Sequence, residues 1–127
     1  MFEYKAVITN VVDGDTFDMD IDLGFHIHIH ERVRLLDIDT PEKFGKEKLL
    51  GMIVKNYAEM LLNKEVIIKS EKADAASETD SFGRWLVKVI IDNDKDLLDI
   101  YNALGINKKH HTYSEDNVLK LEKEYMR

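Results

Sequence analysis

Asp13-Gly14-Asp15-Thr16-Phe17-Asp18-Met19-Asp20-Ile21-Asp22-Leu23 is the stretch on which the fold turns. From Phe17 onward the residues alternate, with Phe17, Met19, Ile21 and Leu23 on one side and Asp18, Asp20 and Asp22 on the other. That period of two is the pattern of a half-buried β-strand. Asp15 falls on the apolar side of the alternation. An ionised carboxylate at the end of an inward-facing apolar row is costly unless a cation or a set of donors compensates it, so this position calls for a partner charge.

Outward from this stretch, residues 4–12 and 25–36 also have strand composition, and Leu23-Gly24 marks the turn before the latter. Residues 46–62 form the strongest helical pattern, with Leu49, Leu50, Ile53, Tyr57, Met60 and Leu61 at helical spacing. Gly51 interrupts that pattern at a cost of about 1 kcal/mol relative to alanine. Residues 65–70 are a short strand with Val66-Ile67-Ile68 at its centre, 71–81 a polar loop, and 84–91 a fifth strand. Two helices are predicted at 96–104, closed by Gly105, and at 115–125, with Val118, Leu121 and Tyr125 on one face. Three strands, a helix, two strands and terminal helices make an α+β domain. The order is that of an OB-fold, a five-stranded antiparallel β-barrel with about three helices.

The chain has 127 residues, most economically one domain spanning 1–127. It contains no cysteine, which excludes a disulfide framework and a thiolate metal site. Met1-Phe2-Glu3-Tyr4-Lys5 runs straight into strand sequence, so no secretory leader is visible and a cytoplasmic location is expected unless a leader was removed. No apolar run has membrane-spanning length, and a monomer is expected. Eighteen basic against 25 acidic residues give a net charge of −7, unfavourable for global attraction to a polyanion. Nucleic-acid binding would have to be local. Lys43, Lys46 and Lys48 form one basic patch, and Lys108, Lys109, His110 and His111 another.

A second informative segment, Arg34-Leu35-Leu36-Asp37-Ile38-Asp39-Thr40-Pro41-Glu42, follows the first by about twenty residues. Asp15, Asp39 and Glu42 with the Thr40 carbonyl form an all-oxygen donor set, suited to calcium or magnesium rather than zinc. Pro41 fixes one torsion and disfavours helix at Thr40, which helps relate the Asp39 and Glu42 side chains. Either segment alone is also what turns are made of. Arg34 and Arg84 are the candidate phosphate readers, since a guanidinium engages two phosphate oxygens at once.

With Thr79-Asp80-Ser81-Phe82-Gly83-Arg84 as a third element in order, the chain resembles the staphylococcal nuclease (thermonuclease) family over roughly residues 4–105. The resemblance implies the same barrel, calcium as cofactor, DNA or RNA as substrate, and cleavage that leaves 3′-phosphate ends. It assigns Asp15, Asp39 and Thr40 to the metal, and Arg34, Glu42 and Arg84 to catalysis. The chain departs from the family at Ser81 and Phe82, which stand where staphylococcal-type members carry Lys and Tyr. His111 and Tyr113 stand for two family tyrosines if a short deletion before Gly105 is accepted. Phe82, His111 and Tyr113 are therefore the candidate substrate contacts. Asp37 occupies a position where many relatives have an apolar residue or glycine.

Other signals carry less. His26, His28 and His30 alternate along one face, about 6.6 Å between neighbours, so a pair but not all three could share zinc; a solvent-facing hairpin accounts for them. Asp92-Asn93-Asp94-Lys95-Asp96 begins like a calcium loop but has Leu97 where glycine is needed. Trp85 is read as core or rim packing. The expected activity is low-specificity, calcium-dependent phosphodiester hydrolysis. The rival from another class is a non-catalytic OB-fold module that binds nucleic acid or a protein partner.

Overall fold

The computed structural model describes residues 2–70 and 85–125. Three strands come first: β1 (Phe2–Asp13), β2 (Thr16–Asp22) and β3 (His28–Leu35). A single 3₁₀ turn, Gly45–Glu47, leads into α1 (Lys48–Ala58). Then follow β4 (Glu65–Ser70), β5 (Trp85–Ile91), the two-residue β6 (Lys95–Asp96), α2 (Leu97–Leu104) and α3 (Glu115–Tyr125). The sheet order is β3-β2-β1-β4-β5-β6, and a further β3–β5 pairing closes the first five into a barrel.

That closure corrects one expectation, because β3 and β5 run parallel, with Val33 opposite Trp85 and Leu35 opposite Val87. The reason is parity. Every other neighbouring pair in the ring is antiparallel, and an odd number of strands that alternate in direction must meet once with the same direction. The barrel is mixed, while the α+β class, five barrel strands and three helices stand as expected.

The alternation in β2 becomes burial: Phe17, Met19 and Ile21 are buried, whereas Asp18, Asp20 and Asp22 are half-buried on the outer side. The inner faces of the other strands add Ala6, Ile8, Val11, Val33, Leu35, Val66, Ile68, Val87 and Val89 to the same core. From α1, Ile53, Val54 and Ala58 join this core, and Val54 packs against Gly14 where β1 turns into β2. Tyr101, Ile106, Val118 and Leu121 extend the core under the C-terminal helices.

The expected third strand is shorter than its sequence pattern. Gly24, Phe25 and His26 all have left-handed backbones, with φ of 85°, 53° and 62°. No strand tolerates three such residues in a row, so pairing resumes only at His28. The histidines are exposed, as expected of a solvent-facing hairpin, and the His28 ring lies 2.9 Å from the Asp20 carboxylate. Gly105 ends α2 with φ of 72°, as its position predicts, and Asp96 caps the other end by accepting a hydrogen bond from the Leu98 amide.

Candidate active site

The Asp13–Thr16 turn is held from three directions. Gly14 packs so closely on Val54 and Thr40 that a Cβ would collide with their side chains. Its carbonyl accepts a 2.6 Å hydrogen bond from the buried Tyr101 hydroxyl, whose pKa burial pushes far up, so it remains a donor. Asp15 follows with a side chain only 8% exposed. Oδ2 accepts from the Thr40 amide at 3.0 Å and Oδ1 from the Thr16 hydroxyl at 3.1 Å. The partner charge demanded by its inward position is Arg34, whose Nη2 lies 3.7 Å away.

Arg34 sits near the end of β3, opposite Thr16 of β2 and Leu86 of β5. Its Nη2 donates to the Ile38 carbonyl at 3.2 Å and to Asp39 Oδ1 at 3.4 Å. One guanidinium nitrogen thus lies between two carboxylates from distant stretches. Both contacts exceed the roughly 2.7–2.9 Å of a tight charged hydrogen bond, so the two carboxylates retain capacity for another positive group. Thr40 is buried, and its Oγ1 has no hydrogen-bond partner. Glu42 is exposed at the rim.

These groups line one open cleft of about 600 Å³. Asp15, Arg34, Asp39, Thr40 and Glu42 all face it. Lys43 joins them while donating to the Val12 carbonyl at 2.9 Å and lying 3.6 Å from Asp13. A staphylococcal nuclease homologue family model matches residues 32–125. The chain belongs to the staphylococcal nuclease homologue family. No curated protein matches it.

The family match takes in Arg34 through Glu42, whereas the turn bearing Asp15 lies ahead of it. The structure joins the two by the Thr40 amide on Asp15 and by Arg34 between the acids. The site fits the hard cation associated with staphylococcal nuclease homologues. Its donors are all oxygen, two carboxylates share a single loosely bound guanidinium, and a buried hydroxyl is unpartnered beside them. Among the described residues no three His, Cys, Asp or Glu converge to hold an ion on their own. Backbone carbonyl, water or substrate oxygens would have to complete the coordination.

Not every expected residue can be placed in the cleft. Arg84 and Phe82 lie outside the described residues. His111 is exposed and its ring lies 4.2 Å from that of His110. Tyr113 is half-buried, its pKa raised by burial and by the nearby Glu47 carboxylate. Neither lines the cleft. Two further residues do so without having been singled out from the sequence. Phe44 is 65% exposed beside the acids, and its place in the chain, two residues after Glu42, is the only sign of it. Arg32 also faces the cleft and is paired with Asp18 at 2.8 Å. The hydrogen bond from Arg32 holds the Asp18 carboxyl below its usual range.

Proposed function

We propose that this chain is a calcium-dependent nuclease that hydrolyses phosphodiester bonds in DNA and RNA with low sequence specificity. The observation that carries the reading is the shared cleft, in which Asp15, Arg34, Asp39 and Glu42 meet on a staphylococcal nuclease family barrel. Asp15, Asp39 and the Thr40 carbonyl would hold calcium, which when bound supplies concentrated positive charge beside a phosphate oxygen. Arg34 binds and orients the phosphate and stabilises charge developing on its oxygens, with Arg84 as the second guanidinium. Glu42, exposed and free to meet solvent, takes the proton of the attacking water. The new bond joins that water oxygen to phosphorus, the bond to the 5′ oxygen breaks, and the 5′ oxygen gains a proton. The products are a 3′-phosphate and a 5′-hydroxyl. The exposed ring of Phe44 offers a face on which a neighbouring base can stack.

The deciding experiment is degradation of single-stranded DNA and RNA in calcium, magnesium or chelator, repeated on Asp15→Ala and Glu42→Gln. Cleavage should require calcium, vanish in Asp15→Ala, and fall by about 100-fold or more in Glu42→Gln while calcium still binds. Near-normal turnover in Glu42→Gln removes its role as base. Binding without cleavage under every condition selects the non-catalytic module.

A further inference from the structure

We infer that Asn107 is a positioning residue for the Asp39 carboxylate, an assignment that builds on reading the cleft as a cation-assisted phosphodiesterase site. Asn107 is 2% exposed and stands just after α2, in the turn that follows Gly105. Its side chain is saturated. Oδ1 accepts from the backbone amide of Asp39 at 3.0 Å and from that of Lys109 at 3.1 Å. Nδ2 donates to the Asp37 carbonyl at 3.0 Å and to Asn102 Oδ1 at 2.8 Å. The next residue adds a further tie, the Lys108 amide donating to the Asp39 carbonyl at 2.7 Å.

These bonds answer a local need. Residues 36–40 belong to no helix or strand, so they lack a ladder of their own, and Asp37 has a left-handed backbone with φ of 62°. The Asp39 side chain is 39% exposed and would swing if its backbone were free. A carboxamide carries both donors and acceptors in one plane, so Asn107 substitutes for a neighbouring strand. Being neutral, it fixes the acid without altering the charge that a cation or a phosphate would meet. Tyr101 does the corresponding work on the first acidic turn through its bond to Gly14. Thus α2 and the turn after it grip both carboxylate-bearing segments. Hydrogen-bond partners that orient metal ligands typically contribute about 10–100-fold to metal affinity or activity.

The test compares Asn107→Ala with Val118→Ala, a buried truncation in α3, the helix that packs on α1. Both should lose thermal stability. Below the unfolding temperature of either, calorimetric titration should show calcium affinity reduced by about 10–100-fold in Asn107→Ala only, with kcat falling more than KM rises. In metal-free protein the Asp39 amide should exchange hydrogen faster in Asn107→Ala than in Val118→Ala. Wild-type calcium affinity together with unchanged Asp39 exchange in folded Asn107→Ala overturns the assignment. An unmodified chain that neither binds calcium nor cleaves overturns the functional reading instead, and the exchange comparison then decides the role of Asn107 on its own.

Discussion

Asp37 stands at φ 62°, with its side chain in solvent and its carbonyl taken by Asn107. An L-residue is strained there and glycine is not. Asp37→Gly should raise stability by about 0.5–1 kcal/mol, offset in part by the larger entropy of the unfolded chain; a higher urea midpoint at unchanged slope would show it. At the neighbouring edge, Asp18 has its pKa lowered first by the hydrogen bond from Arg32. A depressed folded value contributes stability that is complete above the unfolded pKa near 4 and is lost as pH falls through the folded one. Arg32 is exposed and Asp18 half-buried at the surface of the barrel, so solvent screens the pair and Asp18→Asn should cost less than about 1 kcal/mol at neutral pH. The deficit relative to the parent should shrink during acid titration.

At the scale of elements, the chain at Glu42 lies directly against α1. A Cβ at Gly51 would collide with the Glu42 carbonyl group and the Lys43 amide nitrogen. The residue that weakens the helical pattern is therefore what lets the Glu42 segment lie against α1. Gly51→Ala should lower stability by about 1–3 kcal/mol through overpacking and reduce turnover by displacing Glu42, read by thermal melts alongside the nuclease assay. The element types were legible in the sequence because alternation and helical spacing report which faces are buried, as β2 and α1 show. The left-handed run at Gly24–His26 was not, since Phe25, Ile27 and Ile29 keep the alternating rhythm of a strand through it. Asp15 could be singled out by its place on an inward row. Asn107 could not, because its partners at Asp37 and Asp39 are remote in the chain and an isolated asparagine carries no periodic signal.

On the scale of the whole molecule, the charge of −7 and the described cations shape how a polyanion would be met. Lys43 lies beside Asp13 and Lys108 is bound to Glu47, so each basic patch read from the sequence has one lysine paired with an acid within the fold, and Arg32 at the cleft is likewise paired with Asp18. Binding through two guanidinium contacts to a single strand predicts a slope of log affinity against log salt near −1.4, about −0.7 for each phosphate neutralised. Titration of a fluorescent oligonucleotide with the Asp15→Ala variant in chelator would measure it, and a slope several times steeper would reveal a wider basic interface. The grip of Tyr101 and Asn107 on the acidic turns has another consequence, for the chain as it is being made. While a ribosome is still extending the polypeptide, the first two acidic loops emerge without the late residues that brace them. The cleft would take its final shape only once Tyr101 and Asn107 have emerged behind them, so its assembly is a late event in the making of this domain.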